Sequence, residues 1–192
     1  MVISSFGVVL DACCLVPITL CDALLSTADR RLYRPLWSVA ILDEMERALV
    51  KNGVPADKAA YRREQMDLAF PEATIVGYEV LIPSMGNDEK DRHVLAAAVR
   101  GSAQIIVTAN LRDFPEEVLE PLGIRAETPD DFLMDLLGFD PAEVLGAITG
   151  MAAQKTRPPV TELDLLQRIG KAAPDFAAAV LMTLESDPRR SC

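Results

Sequence analysis

The stretch Val8-Val9-Leu10-Asp11-Ala12-Cys13-Cys14 decides how the chain folds. Val, Val and Leu in succession suit a parallel strand covered on both faces, which shows an unbroken apolar run rather than an alternating one. That run ends on a carboxylate, and an isolated charge at the end of a buried strand is costly to desolvate. Asp11 therefore needs a compensating partner, and the other acidic residues indicate which kind.

Outward from this strand, apolar runs recur at residues 35–37, 73–78, 104–107 and 124–126. Helical patterns separate them, at 15–26, 39–51, 55–69, 89–100, 115–119 and 130–137. Such alternation predicts the α/β class, a three-layer α/β/α sandwich with a mainly parallel central sheet. Ligands in such sheets bind beyond the carboxyl ends of the strands, near a switch in strand order, where Asp11 is expected. Further helices are predicted at 141–153, 161–169 and 174–184, with Pro158 and Pro159 marking a linker in Gln154-Lys155-Thr156-Arg157-Pro158-Pro159. The expected organisation is a main domain over residues 1–138 and a helical extension over 139–192. Ala177-Ala178-Ala179-Val180-Leu181 is too apolar to remain exposed, and it should pack on the main domain, a second copy or another protein.

At 192 residues, 50% hydrophobic and 25% charged, the chain can bury a sizeable core. Its net charge of −10 repels a polyanion, so any nucleic-acid role rests on a local site, bound cations or a partner. The apolar N-terminal region lacks a basic segment and is interrupted by Asp11, Pro17 and Asp22. This fits neither a signal peptide nor a membrane-spanning helix, and a cytoplasmic location is expected. Cys13, Cys14, Cys21 and Cys192 lack paired zinc-type spacing. The first three read as small core residues and the last as a tail thiol.

Helical geometry sorts the remaining acids. In the 89–100 helix, the stripe of Val94, Leu95, Ala98 and Val99 is centred about 10° from Asp91, which therefore points inward, while His93 lies about 200° away and is predicted to face water. Asp88 and Asp91 also suit a helix N-terminus, as cap and first-turn acid. Ser38 caps the 39–51 helix, whose stripe is Ile41, Leu42, Met45, Ala48 and Leu49. Glu44 and Glu46 border that stripe on either side, and periodicity does not choose between them. In Thr108-Ala109-Asn110-Leu111-Arg112-Asp113, Asn110 suits a cap for a short turn, and Asp113 can approach the same sheet edge as Asp11.

Carboxylates meeting at one edge, at about 4 Å and an effective dielectric near 20, would repel by about 4 kcal/mol per pair. Such a cluster shares protons or binds cations. Oxygen donors suit Mg²⁺ or Mn²⁺ rather than zinc, and a cation pair can activate water and orient a phosphodiester. A serine or cysteine nucleophile has no evident histidine base, because the single histidine is expected to face away.

Together, Asp11 after Val8-Val9-Leu10, Ser38 to Met45 with Asp43-Glu44, Asp91-Arg92-His93-Val94-Leu95-Ala96-Ala97-Ala98, and Val107 to Pro115 resemble a PIN domain. The likeness continues through Gly123-Ile124 and Pro129 to Leu133. It implies a metal-dependent endoribonuclease, with Asp11, Glu44, Asp91 and Asp113 as catalytic and metal-ligating residues. It favours Glu44 over Glu46 by motif position, and it places Thr108 and Asn110 as supporting polar residues, Asn110 standing where many relatives carry aspartate. Bacterial members of this size resemble VapC-type toxins, which implies an RNA substrate and a small antitoxin partner. A homodimer is a further expectation. Arg92 and Arg112 are weak candidates for RNA contact, alongside Arg30, Arg31 and Arg34, and Trp37 reads as core.

Two other readings compete. One is a catalytically silent protein-binding module acting through its C-terminal helices. The other is an acidic-loop α/β protein such as a receiver or a dehalogenase-like phosphatase. The single Asp11, without an Asp-x-Asp pair, and the lack of a lysine after a later strand count against the last two.

Overall fold

The structure, a computed structural model, describes residues 6–155 and 158–186. Cys192, together with Thr156 and Arg157 of the expected linker, lies outside the described residues. The chain divides into two compact units that are not contiguous in sequence. One contains residues 6–16 and 33–128, and the other 17–32 and 129–186.

The first unit is built on five parallel strands: β1 (Gly7–Leu10), β2 (Arg34–Ser38), β3 (Thr74–Ile75), β4 (Ala103–Val107) and β5 (Arg125–Glu127), in the order β3-β2-β1-β4-β5. This is the α/β/α class expected. Val8, Val9 and Leu10 are fully buried, as are Leu36, Ile106 and Val107 in the flanking strands. The sheet grows from β1 towards β3, then resumes on the other side of β1 with β4, so the switch in strand order lies between β1 and β4. Val9 pairs with Leu36 on one side and Ile106 on the other, and Leu10 pairs with Val107. Gly7 tolerates this crowding because it lacks a side chain: a Cβ there would stand 2.9 Å from Leu36 Cδ1 and 3.3 Å from Ala103 Cα.

Between the strands run the short α1 (Ala12–Leu15), α3 (Val39–Lys51), α4 (Ala56–Ala69), α5 (Arg92–Arg100) and α6 (Glu116–Leu119). The second unit consists of α2 (Ile18–Asp29), α7 (Pro129–Phe139), α8 (Pro141–Gln154), α9 (Glu162–Ile169) and α10 (Pro174–Glu185). The helix expected over 15–26 is thus two helices. Pro17 has no N–H and a fixed φ, so it occupies the N-cap of α2 rather than an interior turn. The strand expected over 73–78 shrinks to Thr74–Ile75. Gly77 turns the chain with φ +73, and Glu79–Ser84 then wind into a 3-10 helix. The helix expected from residue 89 starts at Arg92, because Asp88 captures the Lys90 N–H at 3.2 Å and tightens Glu89–Asp91 into a 3-10 turn.

In the helical unit, Phe176, Ala177, Val180 and Leu184 of α10 pack against α7 and α9. Asp130 at the start of α7 accepts the backbone N–H groups of Asp175 (3.1 Å) and Phe176 (2.8 Å), joining two helix N-termini through one carboxylate. The stretch from Ala177 to Leu181 is therefore covered in part by its own unit, although Ala178 remains exposed. No helix among the described residues is long and apolar enough to cross a membrane.

Because Gly7 sits where three strands converge, Gly7→Ala should force β1 away from β2 and lower stability by about 1–3 kcal/mol. Urea unfolding followed by circular dichroism measures the loss.

Candidate metal centre

Asp11 lies at the carboxyl end of β1, at the switch point. Its N–H donates to the Val107 carbonyl at 3.1 Å, adding one rung to the β1–β4 ladder before the chain turns into α1. The side chain is buried, and Oδ2 accepts the Thr108 hydroxyl at 2.7 Å and the Cys13 thiol at 3.2 Å. Thr108, just beyond β4, is fully buried, and its Oγ1 also accepts the Asn110 N–H at 3.0 Å. Cys13 is not the core residue expected. It is half-buried in the site and accepts the Ala109 N–H at 3.2 Å, because α1 starts immediately after Asp11 and turns its first thiol back over the strand end. Contact with Cys13, then burial, pushes the Cys14 thiol well above the usual thiol range, and Cys14 donates to the Val107 carbonyl.

Asp91 is also buried, at 9% exposure, and its Oδ2 makes no hydrogen bond. Burial first, then the charge of Asp11, pushes this carboxyl up from 3.8 to about 6. Asp113 stands beside it at the end of a 3-10 turn, Leu111–Asp113. The two segments are stitched by Asp88 N–H to the Asp113 carbonyl, 3.2 Å, and by the Lys90 ammonium. Lys90 Nζ lies 3.1 Å from Asp113 Oδ2 and 3.7 Å from Asp91 Oδ2. Asn87, one residue earlier, is buried with both amide atoms unpaired among the described residues.

Glu44 stands against His93, whose Nε2 is 3.5 Å from Glu44 Oε2. The expectation that His93 faces water is overturned, since only 12% of its side chain is exposed. The stripe of Val94, Leu95, Ala98 and Val99 left out Ala96 and Ala97, yet both are fully buried, so α5 is covered around most of its girth. Burial opposes charging the ring, but Glu44 and the Lys90 carbonyl, 2.9 Å from Nδ1, outweigh it and raise the His93 pKa. Glu46 and Asp43 turn elsewhere, both to Arg63, at 3.2 and 2.6 Å.

Asn110 is exposed, and its side chain does not cap the Leu111–Asp113 turn as expected; its carbonyl closes that turn by accepting the Asp113 N–H. Arg92 is half-buried with Nε 3.4 Å from the Asn87 carbonyl, and Arg112 is exposed. Lys90, His93, Cys13 and Asn87 were not candidates on sequence, and only Lys90 and His93 carried a signal, as neighbours of Asp91. Among the described residues, no three His, Cys, Asp or Glu side chains already stand close enough to enclose one ion. The donor set nevertheless fits a hard divalent cation: all oxygens, one carboxylate atom buried without a hydrogen-bond partner, and an ammonium already standing between two carboxylates.

A family profile described as PIN domain matches residues 7–112, which contain three of the four acids and both segments that hold Asp11. The chain belongs to the PIN-domain family. A second profile, VapC50 C-terminal domain, matches residues 129–181, all within the helical unit. A protein of Mycobacterium tuberculosis named "Putative ribonuclease VapC50" is 48% identical over 102 residues, which make up 53% of this chain and 60% of that protein. The chain thus spans less than two thirds of that relative's length. No solved structure matches the chain.

In this PIN domain without divalent ions, the folded state keeps the Asp91 proton over a window, about pH 4 to 6, where the unfolded chain releases it. Stability from this group therefore falls as pH rises from about 4 to 6 and stays low above that. Asp91→Asn should melt higher than the wild type above about pH 6, the gap narrowing towards pH 4, in thermal scans with chelator present. His93 has the opposite sign: its raised pKa stabilises the fold below its unfolded value of 6.5, and that stability is lost as pH rises through the folded value. His93→Gln should flatten the fall in melting temperature above about pH 6.5.

Proposed function

We propose that the protein is an endoribonuclease that hydrolyses RNA phosphodiester bonds with Mg²⁺ or Mn²⁺, and that it is the toxin of a toxin-antitoxin pair. The observation that carries this reading is Asp91 itself, a buried carboxyl beside Asp113 and within electrostatic reach of Asp11, pushed up to about 6 by burial first and then by the charge of Asp11. Membership of the PIN family and the name of the mycobacterial relative support it.

Asp11, Glu44, Asp91 and Asp113 are the residues that would hold the cation. A divalent ion bound there supplies Lewis acidity, making water more acidic and offsetting phosphate charge. The chain's own contribution is positional. Thr108 fixes the rotamer of Asp11 by its 2.7 Å hydrogen bond, and His93 pairs with Glu44. The buried setting of Asp91 keeps bulk water from screening it. Arg92 and Arg112 flank the acids and are the proposed contacts to the RNA backbone.

The proposed partner is a small antitoxin protein that covers the carboxylates, in a cytoplasmic setting. We assign residues 1–138 to the nuclease and 139–192 to its helical extension. A protein-binding role for that extension has an observation of its own: Phe139 and Met182 are 72% and 69% exposed. It predicts that capture of a partner survives loss of the acids.

Incubation of the purified chain with RNA and Mn²⁺ should give cleavage that chelation abolishes. Asp11→Asn and Asp113→Asn should reduce it to background, and Thr108→Val should slow it by about 10- to 100-fold. A wild-type chain inert towards RNA, or an undiminished Asp11→Asn variant, refutes the nuclease reading.

A further inference from the structure

The site already contains one cation, and it is covalently part of the chain. Lys90 Nζ lies 3.1 Å from Asp113 Oδ2 and 3.7 Å from Asp91 Oδ2, between two of the carboxylates assigned to the divalent ion. No other Lys or Arg among the described residues forms an ion pair with Asp11, Asp91 or Asp113. Arg92, next to Asp91 in sequence, turns its Nε to the Asn87 carbonyl instead.

The backbone of Lys90 is fixed while its side chain is not. Its N–H donates to Asp88 Oδ1 at 3.2 Å, and its carbonyl accepts from His93 Nδ1 at 2.9 Å. The side chain is 67% exposed, so the ammonium can leave the carboxylates for water without disturbing any packing. One ammonium is also an incomplete answer to the charge it faces. Asp91 Oδ2 still has no hydrogen bond, and the Lys90 ammonium stands 3.7 Å from it. A single positive charge at 3.1 to 3.7 Å neutralises the pair less fully than a dehydrated divalent ion in direct contact with its oxygens.

Resting on the cation-site reading above, we infer that Lys90 is a tethered counter-cation: its ammonium bridges Asp113 and Asp91 when no divalent ion is bound, and must be displaced for that ion to load. Lys90 thereby stabilises the ion-free protein and sets the ion concentration at which the site fills. The flexible point charge of lysine suits this exchange, whereas the flat fork of arginine would hold the carboxylates in one geometry.

The experiment is a Mn²⁺ titration of the full chain by calorimetry, with thermal melting recorded in chelator and in saturating Mn²⁺. Lys90→Gln should bind Mn²⁺ about two- to fivefold more tightly than the wild type. It should melt lower than the wild type in chelator, with that gap closing in saturating Mn²⁺. Lys90→Arg should keep the charge and melt like the wild type in chelator, and Asp113→Asn should lose Mn²⁺ affinity. Equal or weaker binding by Lys90→Gln, with binding still lost in Asp113→Asn, overturns the role of Lys90 alone. A wild-type chain that binds no Mn²⁺ overturns that role and the cation site together.

Discussion

The 2.7 Å hydrogen bond from Thr108 to Asp11 ties the ends of β1 and β4 together, and the rest of the site is arranged around it. It depends on register. Leu10 pairs with Val107, so the residues that follow each of them, Asp11 and Thr108, emerge side by side at the same sheet edge. A slip of one residue would separate them and turn the strand's side chains to the opposite face. The register is in turn held by the apolar runs of residues 8–10 and 105–107, which are buried and have no solvated alternative. The core therefore positions the carboxylate directly, with no intervening loop to absorb error.

Around Asp11 the chain handles crowded negative charge in three ways. Asp11 itself accepts two hydrogen bonds, and Glu44 is matched by His93. Asp91 receives neither and responds by holding its proton, with only the distant edge of the Lys90 ammonium to help. The carboxylate least provided for by the protein stands at the N-terminus of α5, where burial leaves it little water to compensate it. A fold selected for stability alone would place an apolar side chain there. On the nuclease reading, the retained acid is a cost that function explains.

Much of this was legible in the sequence because it follows from periodicity. The 39–51 helix was bounded correctly by Ser38 and an apolar stripe, and the strands around Val9, Leu36 and Ile106 followed from composition. The inward direction of Asp91 came from the same rule. The rule failed where small residues carry burial. Ala96 and Ala97 add little hydrophobicity to a wheel yet pack completely, and His93 on that side is covered with them. It failed again where local hydrogen bonding overrode a helical pattern, as at Asp88, or where a glycine reversed the chain, as at Gly77. The two-unit division was beyond a linear reading, because α2 joins helices more than a hundred residues away in sequence. The roles of Lys90 and Cys13 depend on which rotamers reach a pocket, and no spacing encodes that.

The distribution of arginines bears on how an acidic chain can meet RNA at all. With a net charge of −10, the long-range field opposes a polyanion, so attraction must be local. Yet several guanidinium groups are committed inward or to internal pairs. Arg63 holds Asp43 and Glu46, Arg30 holds Glu143, Arg62 donates to the Val16 carbonyl and Arg34 to that of Gly101. These groups fasten elements together, and what they leave for a ligand is a few scattered charges such as Arg112. On the nuclease reading, the local attraction for a phosphate therefore falls to the carboxylate site itself. Four acids that repel the substrate in the ion-free state would be largely neutralised once loaded, and the bound cation would offer a phosphate oxygen a direct partner. Loading and substrate binding are then coupled by electrostatics alone, with no conformational change required to link them.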